Sequence, residues 1–156
     1  MNKEDRKPIN PTSKITEMEE KVIEIKRVSK KTKGGNTIGF TALVVVGNRD
    51  GMVGYGYGKA GNVAGAIGKA VSSAKKDMQK IKITGKTISH EVTAKSGASK
   101  VLLKPAPEGT GVIAGGSVRT VVELSGIKDI SSKVLGSNNK LSNVRCAIKA
   151  LKKLKK

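Results

Sequence analysis

The sequence predicts an α+β protein of two small domains, the first a three-stranded sheet with one helix. Three observations predict it. The β-branched run Thr37 to Val46 leads through the turn residues Asn48-Arg49-Asp50-Gly51 into a strictly alternating segment, Met52 to Gly58. Apolar residues at helical spacing follow from Val63 to Ile81. Thr84-Gly85 then breaks that pattern, and a second set of strand and helix signals begins. The expected divisions are a lead at 1–19, a first domain at 20–84 and a second at 85–156, the two domains meeting near residues 82 to 86.

Met1 to Lys14, with Pro8 and Pro11, reads as a flexible lead. Beyond it two signals compete. Ile15, Met18, Val22 and Ile25 have helical spacing behind a Thr16 to Glu19 capping box, yet Val22 to Ser29 is rich in β-branched residues, so a turn followed by a strand is expected. With the two segments after it this strand forms a three-stranded meander. In its third strand Val53, Tyr55 and Tyr57 share one face, while Gly54, Gly56 and Gly58 leave the other as bare backbone that something must approach closely. Asn62 caps a helix carrying Val63, Ile67, Ala70, Val71, Ala74, Met78 and Ile81 on its apolar side and Lys69, Ser73, Lys76 and Lys80 on another. About 18 residues at ~1.5 Å each span roughly 27 Å, comparable to an eight-residue strand.

In the second domain Ile88, His90, Val92 and Ala94 alternate with polar residues, and Ser96-Gly97 turns the chain into Lys100 to Leu103. After the loop Pro105 to Gly111, Val118, Val121 and Val122 mark a helix that stops at Gly126, and Ile127 to Leu135 reads as a strand. Asn139 caps a last helix with Leu141, Val144, Ile148 and Leu151 inside. Lys149, Lys152, Lys153, Lys155 and Lys156 crowd its end, where the helix dipole favours cations. No internal repeat is present.

With 156 residues, 37% of them apolar, a packed core is feasible. Phe40, Tyr55 and Tyr57 are the whole aromatic inventory, so stacking on bases can add little to recognition. The net charge of +19 repels itself unless an anionic partner neutralises it, and nucleic acid is the leading candidate. The excess lies in residues 21–35 and 61–86, at +5 each, and in residues 87–156, at +9, which points to several contacts rather than one tail. No run approaches the ~20 apolar residues of a membrane span, and the polar start lacks a signal-peptide core, so a soluble, unexported protein without membrane partners is expected. Cys146, the one cysteine, cannot form an internal disulfide and is expected to be a buried thiol in a reducing compartment.

The segment Arg27-Val28-Ser29-Lys30-Lys31-Thr32-Lys33-Gly34-Gly35-Asn36 sets four cations and two glycines between strands, so flexible backbone can press close to phosphates. A solvated hairpin tip is the plainer alternative, but such tips seldom carry this much unbalanced charge. Gly56-Tyr57-Gly58-Lys59-Ala60-Gly61 satisfies G-x-G-x-x-G between a strand and a helix, yet the next ~20 residues are the helix itself, with Asp77 inside it, where a dinucleotide fold needs another strand ending in an acid. Gly58-Lys59 and Gly68-Lys69 fail as phosphate loops because Val53 and Val63 replace the first glycine and Ala60 and Ala70 the Ser or Thr. Lys59, at a helix start, can still meet a backbone phosphate. Glu108 to Gly116 reads foremost as a structural turn feeding a helix, with close contact to a partner's backbone as the alternative. His90 is expected inside as a satisfied core histidine. No carboxylate pair suggests acid-base chemistry, no cluster suggests a metal and no motif suggests a cofactor, so an enzyme is not expected.

These residues carry a resemblance. From about Glu20 to Leu151 the chain resembles the family of bacterial-type ribosomal protein five of the small subunit. The strings that carry it are Arg27-Val28-Ser29-Lys30, Lys33-Gly34-Gly35, Phe40 to Gly47, Val53 to Ala60, Pro105-Ala106, Glu108 to Gly116 and Gly136-Ser137. The resemblance implies an N-terminal domain similar to a double-stranded-RNA-binding fold without its first helix, and a C-terminal β-α-β domain of the kind also found in a translocation factor and some metabolite kinases. It implies a structural rRNA-binding protein of the ribosome, in the cytoplasm or an organelle, that contributes to subunit assembly. The expected RNA contacts are Lys26, Arg27, Ser29, Lys30, Lys31, Lys33, Gly34, Gly35 and Asn36 on the hairpin near the spectinomycin site, the bare strip at Gly54 and Gly56, and the cations Lys59, Lys69 and Lys76.

By the same resemblance Gly111 and Arg119 would face ribosomal protein four at an interface linked to decoding accuracy, the second domain would touch ribosomal protein eight, and basic residues would line the path by which mRNA enters. Nothing carries over to Met1 through Glu19. Because the chain stops at Lys156 where many relatives run on, a contact made by that extension is expected to be missing. A free-standing nucleic-acid binder is the rival within the same class. A small-molecule kinase is the rival of another class, weakened because the loop Pro105 to Gly116 lacks the catalytic pattern and no magnesium-binding acids are evident.

Overall fold

Strand pairing overrides the helical spacing at the start of the chain. The computed structural model describes residues 17–154; the lead at Met1 to Lys14, Ile15 and Thr16 of the competing helical signal, and the final Lys155 and Lys156 lie outside them. Strand β1, Glu19–Thr32, pairs antiparallel with β2, Gly35–Gly47, along its whole length, so Val22 faces Val44 and Ile25 faces Ala42 across the ladder. A bulge between Val22 and Glu24 shifts the register by one residue. Asn48 Oδ1 accepts the amides of Asp50 and Met52, Arg49 takes a left-handed φ of 54°, and the chain returns as β3, Met52–Ala60.

The middle of β2 is buried on both faces, which explains why Thr37 to Val46 reads as a run rather than an alternation. Ala42, Val44 and Val46 meet helix α1, Val63–Lys76, while Leu43 and Val45 face the C-terminal half. The glycine strip of β3 lies opposite the α1-facing residues, since Gly58, Gly56 and Gly54 pair with Ala42, Val44 and Val46. Its close neighbour is α1. A Cβ on Gly54 would overlap the carbonyl oxygen of Ala74, one on Gly56 that of Ala70, and one on Gly58 that of Ala66. Bare strand therefore meets an alanine stripe, Ala66, Ala70 and Ala74, backbone against backbone. The deep face of the helix is this stripe rather than the larger residues, for Val63 is exposed and Ile67 and Val71 are half-buried.

Asn62 caps α1 as expected, its Oδ1 accepting the Gly65 amide at 3.0 Å. The helix stops at Lys76, however, instead of continuing through Met78 to Ile81. Gln79–Lys80 forms a short fourth strand, β4, on Val53 and Met52. The turn lets Ile81 join the core on the opposite face of the sheet, which a longer helix could not reach.

In the C-terminal half, β5 (Val92–Ser96) and β6 (Ser99–Pro105) form a hairpin, β7 (Val112–Ile113) precedes helix α2 (Gly116–Ser125), and β8 (Ile130–Gly136) precedes helix α3 (Lys140–Lys152). The sheet order is β5-β6-β8-β7, and β7 runs parallel to β8, so β7, α2 and β8 make the β-α-β connection. The expected strand from Ile88 begins only at Val92, and His90 is exposed rather than inside, its Nδ1 2.9 Å from Ser89 Oγ. Extending the register would place His90 opposite Pro105, which has no amide hydrogen to continue the ladder. Gly126 ends α2 at φ 96°, and Asn139 Oδ1 caps α3 through the Leu141 amide. Cys146 is buried, with Sγ 3.0 Å from the Ala94 carbonyl oxygen, and burial pushes its thiol up.

One apolar core joins the two halves, with Leu43, Val45 and Val53 among the same buried cluster as Val118, Val121 and Leu124. At its rim the amides of Arg49 and Gly51 donate to the last carbonyls of α2, Leu124 and Ser125, each at 2.9 Å. Gly47 and Gly126 permit that approach, because a Cβ on either would strike backbone of the other half. Among the described residues no helix is long and apolar enough to cross a membrane.

Two glycine substitutions on opposite sides of one helix-strand contact should act with opposite signs. Gly56→Ala drives a methyl into the Ala70 carbonyl and should cost about 3 kcal/mol, whereas Gly68→Ala, on the open side of α1, should stabilise by about 0.5 to 1 kcal/mol in chemical denaturation.

Candidate RNA-binding surface

The Arg27 to Asn36 segment is not mainly a loop. Arg27 to Thr32 belongs to β1 and Gly35-Asn36 to β2, leaving Lys33-Gly34 as the tip. Pairing with β3 ends where Phe40 meets Ala60, so residues 28–39 project as a two-stranded arm that, among the described residues, has no third strand and no helix behind it. Five residues at ~3.3 Å give the arm a reach of about 16 Å. Thr32 Oγ1 donates to the Gly35 carbonyl at 2.9 Å across the tip, and Gly35 uses a left-handed φ of 134°.

Alternation divides the arm into two faces. Arg27, Ser29 and Lys31 lie opposite Phe40, Ile38 and Asn36, on the side that carries α1 further down. Lys26, Val28 and Lys30 lie opposite Thr41, Gly39 and Thr37 on the other side, where Lys59 also stands at the end of β3. An open hollow of about 300 Å³ at the base of the arm is lined by Val28, Ser29, Lys30, Gly39, Lys59 and Gly61 among others. Sequence reasoning passed over Ile38, 43% exposed beside these cations; its signal was an apolar residue within a stretch otherwise open on both faces.

Acids are spent at the foot of β1. Glu19 pairs with Arg49 at 2.7 Å, Glu20 with Lys75 at 2.7 Å, and Glu24 with Lys140 at 3.1 Å and Lys26 at 3.3 Å. Burial works to raise the Glu24 carboxyl, but the hydrogen bonds from Lys140 and Lys26 outweigh it and hold the group below the usual carboxylate range. Among the described residues none of Arg27, Lys30, Lys31 and Lys33 has an ion-pair partner. Two exposed charges ~8 Å apart repel by about 0.5 kcal/mol in water, so the arm tolerates its cluster and gains when phosphates approach. Of the expected contacts, Lys26 alone on the hairpin is neutralised.

Two of the other expected contacts are overturned. Gly54 and Gly56 are buried under α1, so the bare strip serves the close helix and offers no surface to RNA. Lys69 and Lys76 are exposed on α1; Lys69 Nζ donates to the Lys59 carbonyl at 3.4 Å, which brings Lys69 and Lys59 to the base of the arm, while Lys76 lies at the far end of the helix. Gly111 needs its left-handed φ of 76°, and its amide donates to the buried Asp129 carboxylate at 2.9 Å. Arg119 is exposed but donates to Glu123 at 2.7 Å, and Glu123 also accepts from Lys21 of β1 at 3.2 Å. Val112, next to Gly111, and Glu123 line one open hollow of about 460 Å³ with Arg49, Gly126, Ile127 and Lys128. No cluster of three metal-binding side chains occurs among the described residues.

Fold and surface together define a class: a strongly basic α+β binding protein whose charge is displayed rather than neutralised. The N-terminal domain of ribosomal protein S5 matches residues 18–82, and the C-terminal domain of ribosomal protein S5 matches residues 94–156. Three relatives, each named small ribosomal subunit protein uS5 and drawn from Campylobacter jejuni strains 81-176, 81116 and RM1221, are 59% identical over 139 residues, covering 89% of this chain and 95% of theirs. The chain belongs to the ribosomal protein S5 family. It is a structural ribosomal protein and not an enzyme.

The Glu123 ion pairs carry a pH signature. Hydrogen bonding from Arg119, with a smaller share from Lys21, outweighs burial and lowers the carboxyl below its ordinary 4.5. A carboxylate lowered by folding stabilises above its unfolded pKa and loses that contribution as pH falls through the folded value. The gap in Tm between the wild type and Glu123→Gln should therefore be widest near neutral pH and close as pH drops from about 6 to about 3; a gap constant over that range would show that the pair does not stabilise the fold.

Proposed function

We propose that this protein, as a structural constituent of the small ribosomal subunit, grips small-subunit rRNA by its projecting β1–β2 arm. The observation that carries the reading is a set of four cations, Arg27, Lys30, Lys31 and Lys33, that among the described residues have no ion-pair partner and stand on a two-stranded projection with no layer covering it. Lysines on a stiff ladder meet phosphates as point charges, and the glycines at the tip let the backbone approach without a side chain between. Lys59, Lys69 and Lys76 extend the basic surface from the arm onto α1. Such contacts position RNA without reading bases, and the small aromatic inventory supports the same conclusion.

The names of the relatives support the subunit, and the resemblance supports the finer roles. In this reading the protein works on the cytoplasmic ribosome, helps the subunit assemble, borders the path by which mRNA enters and influences decoding accuracy. Gly111 and Arg119 face ribosomal protein four, and the C-terminal half touches ribosomal protein eight. Arg119 sits in an exposed i, i+4 pair worth a few tenths of a kcal/mol, so its removal should leave folding nearly intact.

Filter binding across a salt series tests the arm. Lys30→Ala/Lys31→Ala/Lys33→Ala should reduce the slope of log affinity against log salt by up to about three units while leaving Tm unchanged, and an undiminished slope would remove the arm from the interface. Equal affinity for unrelated duplex RNA and small-subunit rRNA would sink the ribosomal target in favour of a general binder. Arg119→Ala should weaken capture of purified ribosomal protein four with Tm within ~2 °C of wild type; a fall as large as that of a core truncation would make it a folding residue.

A further inference from the structure

We propose that the uncovered face of the C-terminal sheet is a second contact for the RNA sugar-phosphate backbone, independent of the arm. The proposal rests on the RNA-binding reading above and adds a surface to it. Helices α2 and α3 cover one face of the β5-β6-β8-β7 sheet, burying Ala94, Val101, Leu103 and Ile130. The other face has no layer over it among the described residues. Lys100, Leu102 and Lys104 point outward from β6, Thr93 and Lys95 from β5, and Ser131, Lys133 and Leu135 from β8.

Charge on this face is arranged against the fold's own interest. Lys95 lies directly opposite Lys100, a cross-strand pairing of like charges that destabilises a sheet. Lys133 lies opposite Leu102 and so stands diagonal to both Lys100 and Lys104. Among the described residues the one ion pair on the face is Lys104 with Glu91, at 3.7 Å. Lys95, Lys100 and Lys133 have no acid partner among the described residues. Lys149 of α3 adds a further cation at the edge, where its Nζ donates to the Lys95 carbonyl at 3.2 Å.

The chemistry of the face selects the occupant. Lysine is depleted in the buried centres of protein interfaces, where its strongly hydrated ammonium is costly to strip of water, whereas at a solvated surface it neutralises phosphate as a point charge. Lys100 and Lys104 stand four residues apart, about 13 Å, a span long enough to meet more than one phosphate of a nucleic-acid strand. A lysine-bearing sheet face of that length fits a polyanion better than a basic or apolar protein patch. The exposed Leu135 and half-buried Leu102 between the lysines can rest on ribose carbons without demanding a hydrogen bond.

The test uses the full chain carrying Lys95→Ser/Lys100→Ser/Lys133→Ser and transcribed full-length small-subunit rRNA, with the arm variant in parallel. The salt slope should fall by about two to three units for the face variant, additively with the arm variant, while Tm stays level or rises as repulsion is removed. The corresponding triple arginine variant should retain the wild-type slope and so separate charge from fold. A wild-type slope for the serine variant, with a reduced slope for the arm variant, overturns the second contact. So does wild-type rRNA binding combined with failure to join subunits reconstituted with the other ribosomal proteins, since that assigns the face to a protein. If neither variant changes the slope, the RNA-binding reading itself fails.

Discussion

Burial of β2 on both faces is the constraint from which the architecture follows. A strand whose even residues must meet one layer and whose odd residues must meet another has no solvent side, so α1 and the C-terminal half are both needed to cover it. Glycine-alanine contact brings α1 close on one side. On the other, the backbone bonds from Arg49 and Gly51 to Leu124 and Ser125 satisfy carbonyls that the end of α2 leaves open. The arm begins where this double cover stops. Its exposure results from the layers ending while the β1–β2 ladder continues.

The charge layout follows the same division. Where β1 lies against α1, α2 and α3, Glu20, Glu123 and Glu24 link cations of neighbouring elements, and the net charge there is modest. Such exposed pairs add little stability individually, but they link β1 to each of the three helices. Beyond the covered part the acids cease. Of the net charge of +19, the arm thus carries a cluster of four cations that no acid of the described residues offsets.

Much of this was legible in the sequence, for reasons that can be traced to residues. The Asn48 to Gly51 turn, the Asn62 and Asn139 caps and the Gly126 stop announce themselves because each is local chemistry. The end of α1 was not legible, since Met78 and Ile81 keep helical spacing while tertiary contact sends Ile81 to the opposite face. His90 alternates with its neighbours, but the missing Pro105 amide lies in another strand and no local pattern reports it. The glycine strip was correctly read as a close approach. What approaches was not, because the alanine stripe of α1 looked like the weaker part of a larger apolar face. The lysines of the C-terminal sheet were missed for a related reason: alternation marks them as outward, but only strand pairing shows Lys95 beside Lys100.

The shared core also bears on how the chain is made. Synthesis proceeds from the N-terminus, so β1 through β4 emerge before α2 and α3 exist. During that interval α1 can already cover one face of the sheet, while Leu43, Val45, Val53 and Tyr55 stand on a surface that only residues still inside the exit channel will cover. The nascent protein passes through a stage with a wet apolar sheet on one side and a cationic arm at its end. Only once α2 and α3 have been made can Val118, Val121 and Leu124 close that side.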